Sequence, residues 1–458
     1  MVRDVDVALA RPERLTGSQR VLATGLVLGV TLVAFETTAV ITALPTITDE
    51  LGGDSLYGVA LAAYTLANLV ALVVTGGLAD RRGPRGPFLL SIATFVLGLV
   101  VAGLAANMAV VVVGRTLQGA GAGGFAPIAY VLVKRAFPAT RQATMYAILS
   151  AGWVLPSLVA PAFAGVVTDE LGWRWVFVGI APFGVVVGAI ASRPMAAFGP
   201  VASHARDERD RGRVPQAVGV AAGVGALAVG LRSPHPATAL LLTAAGLALA
   251  VPMLRRLMPA GFLRARRGIP AVVACRALAT ATFLGVDSFL PLAADRIHGA
   301  SPVVQGFVIV GAALTWTLGQ ALTARRPDVD PAAAVRLGFA LLIGGTLLVV
   351  PVLWSGWPLW ATFLSWPVGG LGMGILFNPT TVAAMSYADA GHEGEVSSQV
   401  QLADALGFSL MGGIGGAVVA VADRGAIALR GAIAVNFGLA VACAAVGLVA
   451  SRGATRRA

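Results

Sequence analysis

The sequence predicts an all-α polytopic membrane protein of about fourteen transmembrane helices, built as two six-helix halves plus two inserted central helices. Three observations predict it. The 458-residue chain is 57% hydrophobic and only 12% charged, whereas a soluble domain carries about 25% charged residues. Apolar runs of roughly 18–25 residues recur along it, each long enough to cross a bilayer as a helix. A segment near residue 44 is repeated near residue 290.

The runs fall in order between basic segments. Spans 21–45 and 55–79 lie between Arg3, Arg11, Arg14 and Arg20 on one side and Arg81, Arg82 and Arg85 on the other. Spans 88–107 and 109–133 end at Lys134, Arg135 and Arg141, and spans 143–167 and 174–192 end at Arg193, Arg206, Arg209, Arg211 and Arg213. Spans 215–231 and 237–254, short and rich in Ala, Gly and Val, close at Arg255, Arg256, Arg264, Arg266 and Arg267. Spans 270–293 and 303–323 reach Arg325, Arg326 and Arg336; spans 333–352, 357–378, 397–421 and 427–450 lead to Arg452, Arg456 and Arg457.

These segments hold roughly 26 of the 33 basic residues. The positive-inside rule therefore puts both termini in the cytoplasm, with only Arg174, Arg232, Arg296, Arg424 and Arg430 outside and Arg115 and Arg276 within spans. An even span count follows, since losing one span would invert every later loop. Fourteen and twelve both satisfy it, because 215–231 and 237–254 could form one re-entrant unit.

The net charge of +11 is spread over short loops and matches the acidic inner leaflet, not nucleic acid. Cys275 and Cys443 both sit in apolar runs, which argues against a disulfide framework or zinc site. The first span reads as an uncleaved signal anchor. No G-x-x-x-x-G-K-[ST] phosphate loop occurs, so an ATP-driven pump is not expected. Neither is an enzyme, for no metal cluster or nucleophile–base constellation stands out.

The repeat pairs LPTITDELGGDS (Leu44–Ser55) with LPLAADRIHGAS (Leu290–Ser301), aligning Asp49 with Asp295, Gly53 with Gly299 and Ser55 with Ser301 at one offset. Chance in a biased composition is the plain alternative; a duplicated helical half is the better reading. The expected layout is a tail at 1–20, an N-terminal half at 21–192, linker segments with two inserted helices at 193–269, a C-terminal half at 270–450 and a tail at 451–458. Parallel repeats of this kind hold a substrate site near the midplane between halves.

The segment GGLADRRGPRG, Gly76–Gly86, carries Gly76, Leu78, Ala79, Asp80, Arg81, Gly83 and Arg85 in the pattern G-x-L-A-D-R-x-G-R-R, with Pro84 at the first position of the closing basic pair. It resembles the signature of the major facilitator superfamily between spans two and three. GRTLQGAGAGG, Gly114–Gly124, is similar to that family's R-x-x-Q-G-x-G-A through Arg115, Gln118, Gly119, Gly121 and Ala122. In span one, ETTAVITALP resembles the D-x-T-I-V-N-V-A-L-P segment of fourteen-span drug/proton antiporters (the EmrB/QacA type), with Glu36 for Asp and Ile41 for Asn. WRWVFVGIAPFG at Trp173–Gly184 and LPLAADRIHGASPVVQG resemble their sixth and ninth spans. The span-five pattern G-x-x-x-G-P-x-x-G-G is met by Pro156, Ala160, Pro161, Ala164 and Gly165, with two glycines replaced by alanine and the first by proline.

The resemblance implies the major facilitator fold and proton-coupled export of an amphipathic or cationic small molecule by alternating access. It implies no cofactor, the proton gradient as energy source, a plasma (inner) membrane location and, as partners, the lipid bilayer, protons and substrate but no nucleic acid. A monomer is expected. Two alternatives stay open: a metabolite importer or symporter on the same fold, and a non-transporting sensor or assembly partner.

Glu36 lies nine residues before Pro45, about 13 Å below the outer end of its helix, and Arg115 lies about 9–10 Å down span four. The two are expected to sense each other's charge. Burial disfavours the charged acid and a nearby guanidinium favours it, which suits a group that takes and releases a proton. The plainer roles are a hydrogen bond within the bundle for Glu36 and a packing clamp for Arg115. Asp287 in span nine is the C-terminal counterpart, either a second titratable site or a cation contact, or a group reaching the outer water. Arg276 is expected to snorkel inward and Asp404 to lie at the interface. Candidate cavity aromatics are Phe35, Tyr64, Trp153, Phe283 and Trp316, with packing or lipid contact as the plainer role of each. Asn68, Gln320 and Asn378 are cavity candidates because amides avoid lipid.

Overall fold

The computed structural model describes residues 15–53, 56–200, 212–233, 235–326, 329–423 and 425–454. The start of the expected N-terminal tail with Arg3, Arg11 and Arg14, Ser55 of the repeat, His204, Arg206, Arg209, Arg211, Arg424, Arg456 and Arg457 lie outside the described residues. Regular structure among the described residues is helical.

Among the described residues fourteen stretches are long and apolar enough to cross a membrane: α1 Gly17–Leu51, α2 Tyr57–Arg82, α3 Arg85–Gly103, α4 Met108–Ala136, α5 Ala139–Leu171, α6 Arg174–Met195, α7 Arg213–Gly230, α8 Ala237–Leu257, α9 Ile269–His298, α10 Val304–Ala324, α11 Pro331–Leu353, α12 Leu359–Ser386, α13 Glu393–Ala422 and α14 Leu429–Gly453. The seventh and eighth are separate helices, which settles fourteen over twelve. They pack on each other, and α7 also packs on α2. Among the rest, α1–α6 pack chiefly with one another, as do α9–α14.

Several helices outrun the expected edges. The first passes through Pro45 to Leu51, because Ala43, Leu44, Ile47 and Thr48 continue its buried stripe and packing outweighs the one backbone bond that proline removes. The thirteenth begins at Glu393, where Glu393 and Glu395 complement the positive end of the helix dipole. Four helices break three or four residues ahead of a proline, whose missing N–H leaves a carbonyl unbonded. α4 breaks at Gly123–Gly124 before Pro127, α5 at Gly152–Trp153 before Pro156, α6 at Gly179–Ile180 before Pro182, and α9 at Ser288–Phe289 before Pro291. The repeat is visible in the backbone too. Gly53 and Gly299 both hold a positive φ, at 88° and 63°, just past a helix end.

Glycines set the closest helix approaches. A Cβ on Gly119 would land on the carbonyl oxygen of Tyr64, and one on Gly123 on that of Asn68, joining α4 to α2. Gly370 and Gly374 of α12 meet the carbonyls of Ala312 and Trp316 of α10 in the same way. Gly119→Ala is expected to lower stability by about 1–3 kcal/mol, as overpacking does. Gly86→Ala, where a Cβ meets nothing within 4 Å, serves as the control in detergent thermal unfolding. Equal midpoints for the two variants would contradict this packing.

By alternation, one face of the bundle gathers the starts of α1, α5, α7, α9 and α13 with the ends of α2, α4 and α8. It carries Arg81, Arg82, Arg135, Arg255 and Arg256 and is called here the arginine-rich face. There the hairpin α7–α8 is tied to α13 at both ends. Arg213 pairs with Glu395 at 3.1 Å, and Gln399 donates to the carbonyl of Leu257.

Candidate substrate cavity and its buried charges

A cavity of about 680 Å³ lies between α1, α4 and α5 on one side and α9, α10, α12 and α13 on the other. Helical spacing explains its walls. On α9 the lining residues are Thr280, Phe283, Leu284 and Asp287; on α10 they run from Gly306 through Val310, Ala313 and Trp316 to Gln320, three or four apart along one face. Of the expected cavity residues, Trp153, Phe283, Trp316 and Gln320 line it, as do Asp287 and Pro161.

Of the two acids on the cavity wall, Asp287 is the less compensated. It accepts one hydrogen bond, from Trp366 Nε1 at 2.8 Å, and among the described residues no arginine or lysine forms a salt bridge with it. Around it Phe283 stacks on Trp366 with centroids 5.3 Å apart and meets Trp316 edge-on at 5.1 Å. Trp316 in turn meets Phe377 at 5.2 Å. An anionic group beside aromatic faces recognises a cation carrying apolar surface.

A second acid on the wall, Asp404, corrects two expectations. Arg276 does not snorkel; it is 1% exposed, and its Nε and Nη2 bind the two Asp404 oxygens at 2.7 and 3.0 Å. Asp404 is not interfacial: α13 starts earlier than expected, which sets it about 16 Å along the helix. Thr280 Oγ1 also donates to it, while Arg276 Nη1 reaches Thr381 and the Phe377 carbonyl. Two opposite charges in separate apolar runs were the available signal, but their shared depth was hidden by the misplaced start of α13.

The expected Glu36–Arg115 pair forms, at 2.5 Å between Arg115 Nη1 and Glu36 Oε1. Arg115 Nη1 also donates to Gln118 Oε1 at 2.7 Å, and its guanidinium lies 4.2 Å from the Tyr64 ring centre, whose hydroxyl meets Thr37 Oγ1. Glu36 is 0% exposed and does not line the cavity. The pair is sealed among α1, α2 and α4. Gly119 and Gly121 pack α4 on α2 and α3.

A structural symmetry relates this pair to Asp287. Gly119 and Gly123 follow Arg115 as Gly370 and Gly374 follow Trp366, and both glycine pairs take carbonyls of the neighbouring helix. Each half thus places a donor of its fourth helix against a carboxylate of its first: Arg115 on Glu36, and Trp366 on Asp287. One carboxylate is neutralised by a cation and the other only hydrogen-bonded.

Four cavity candidates sit elsewhere. The Tyr64 ring lies against Arg115 at the α2–α4 contact, the Asn68 backbone carbonyl faces Gly123 of α4 there, and neither residue lines the cavity. Phe35 packs edge-on against Phe163 at 5.2 Å. Asn378 is buried one residue past Phe377, which takes the cavity position about 100° away on the helix. In α5, Pro156 is buried by its helix break, and a Cβ on Gly165 would meet open space.

The loop motif closes the arginine-rich face. Asp80 Oδ1 and Oδ2 accept the backbone N–H groups of Gly394 and Glu395, at the N-terminus of α13. Arg135 binds Glu393 at 2.7 Å and lies 3.5 Å from Asp80. Gly76 packs directly on the Gly394 carbonyl, and Ser398 donates to the Leu72 carbonyl. Gly83, at φ 78°, faces the backbone of Phe198 and Gly199, while Arg81 and Arg85 are exposed. Gln320 Nε2 to Ser150 Oγ, 2.8 Å, is a further link between the helix groups. Arg135 and Glu393 were not singled out in the sequence, since both lie in what reads as loop.

Two helical groups enclosing a central cavity and joined across one face define a multi-pass membrane transporter of small molecules. The chain belongs to the Major Facilitator Superfamily, whose family model matches residues 26–412. It is 28% identical to a protein of Mycobacterium tuberculosis named probable multidrug-efflux transporter Rv1634, covering 96% of this chain and 95% of that protein. It is 30% identical to multidrug resistance protein 3 of Bacillus subtilis over 37% of this chain and 33% of that one. Among solved structures, the human organic anion transporter MFSD10 shares the fold with a TM-score of 0.71 at 16% identity, covering 95% of this chain and 100% of that one. An auto-inhibited POT family peptide transporter matches with a TM-score of 0.59 at 17% identity, covering 94% of this chain and 97% of that one. The family works by secondary-active transport with alternating access, and it is a transporter family, not an enzyme family. Among the described residues no group of three or more His, Cys, Asp or Glu could hold a metal ion.

Proposed function

We propose that the protein exports amphipathic cations across the plasma membrane in exchange for protons, with 21–192 and 270–450 as the two rocking halves and 193–269 as an inserted linker and hairpin. The arginine-rich face is the cytoplasmic one by the positive-inside rule. The observation that carries the reading is Asp287: a carboxylate on an aromatic cavity wall, held by Trp366 and lacking a cationic partner among the described residues. Such a group is stable in the membrane either protonated or beside a substrate cation. Occupancy by one excludes the other, and that exclusion is exchange. Glu36, held by Arg115, is the second coupling acid, released when the pair opens. The proton gradient is the energy source and no cofactor is required. One monovalent cation leaving against one proton entering moves no net charge, so the pH gradient drives that exchange, about 1.4 kcal/mol or tenfold in substrate per pH unit; a second proton carried on Glu36 adds the membrane potential, about 2.3 kcal/mol per 100 mV. The working unit is a monomer.

In everted vesicles energised by respiration, adding ethidium is expected to collapse the pH gradient and load the vesicles with ethidium. A gradient left intact while substrate moves, or one that substrate movement reinforces, would favour uncoupled transport or symport instead.

A further inference from the structure

The cavity wall is not uniform. Its polar residues Ser150, Thr280, Gln320, Gln401 and Asp404 lie from mid-depth toward the arginine-rich face, whereas Asp287, about 27 Å from the start of α9, sits farther out and level with Leu158. The described lining residues of the outer flank between α5 and α10 are apolar: Leu158 and Pro161 on one helix and Gly306, Ile309, Val310 and Ala313 on the other. These two helices belong to different halves. The first segment of α5, up to the break at Gly152, packs on α10 and α12, with Ser150 bonded to Gln320. Beyond the break the second segment makes little contact with α10. Leu158 remains 44% exposed on the cavity side of that gap. A Cβ on Gly306 or on Gly165, one turn beyond Pro161, would meet nothing within 4 Å. A passage to water would be expected to carry hydrogen-bonding groups; a hydrocarbon wall suits passage to lipid.

We propose that the α5–α10 flank is a lateral portal joining the cavity to the leaflet on the arginine-poor side. The substrate is then an amphipath whose cationic head sits at Asp287 while its apolar tail lies between Leu158 and Val310. The head assignment rests on the function proposed above; the portal rests on the geometry of the flank.

The test compares two probes in proteoliposomes: N-dodecylpyridinium, a single-tailed cation, and ethidium, a compact one. Gly306→Trp fills the open space without a clash at Cβ. It is expected to lower dodecylpyridinium export about tenfold more than ethidium export, the scale of a one-to-two kcal/mol steric penalty. Gly344→Trp, equally unobstructed but on α11 away from the cavity, is expected to change neither. Equal slowing of both probes by Gly306→Trp, or none, overturns the portal. A second readout is independent of transport. A bimane label on Gly306→Cys in a Cys443→Ala background, reconstituted in nanodiscs, is expected to be quenched by lipids with doxyl-labelled acyl chains. Quenching by iodide alone would overturn the portal whatever is exported. Wild type exporting neither cation would overturn the cationic head, leaving the quenching to decide the portal.

Discussion

Changing Asp287 to asparagine is expected to abolish proton-driven cation export, lowering the rate by about a hundredfold or more, the cost of losing a buried charge partner worth about 3 kcal/mol. Asparagine keeps an oxygen that can accept from Trp366 Nε1, so the fold should survive, with an unfolding midpoint close to wild type. Trp366→Phe separates the two functions of the site. It removes the donor but leaves the acid, so export should weaken while coupling persists. Proton-coupled export by Asp287→Asn at the wild-type rate would remove this carboxylate from the exchange, and with it the main support for antiport.

Breaking the Glu36–Arg115 pair should have the largest effect on stability. Arg115→Ala strands a fully buried carboxylate, and a broken buried pair costs about 3–5 kcal/mol. Glu36→Gln strands the guanidinium, but Gln118 Oε1 and the Tyr64 ring still face it, so its loss should be smaller. The same variant should lose proton coupling. A double change to Glu36→Leu and Arg115→Met should recover most of the stability, because well-packed apolar replacements of buried pairs are close to neutral, yet not the coupling. Thermal unfolding in detergent gives the stabilities and vesicle assays the coupling. A double variant as unstable as Arg115→Ala would show that the pair matters for packing and not for its charge.

The number and placement of the spans were legible because they depend on run length, a one-dimensional quantity. The Asp80 loop was legible because it is short and its chemistry sits on consecutive residues. Rotation of each helix was not. Phe377 and Asn378 are adjacent, and which of them faces the cavity depends on where α10 presses glycines of α12. Tyr64 was lost to the cavity for the same reason on the other half. Arg276 and Asp404 lie 128 positions apart in sequence, and nothing local to either residue announces the other. Glu36 and Arg115 could be matched by depth alone because both helices are measured from one face. That alignment could not tell whether the pair faced the cavity or was sealed behind it.

The hairpin α7–α8 has a consequence for the bilayer itself. The helix of α7 runs on to Arg232, 20 residues in all, about 30 Å, which matches a hydrocarbon core of about 30 Å. A thicker or thinner bilayer breaks that match, and the mismatch is relieved by deforming the lipid or shifting the helix, at a fraction of a kcal/mol per Å. Because α7 lies against α2 while its Arg213 end is bound to Glu395 on α13, that stress falls on the contact that holds the arginine-rich face shut. Lipid thickness therefore enters the balance between the transporter's two orientations, as a mechanical load carried by an element that never touches the substrate.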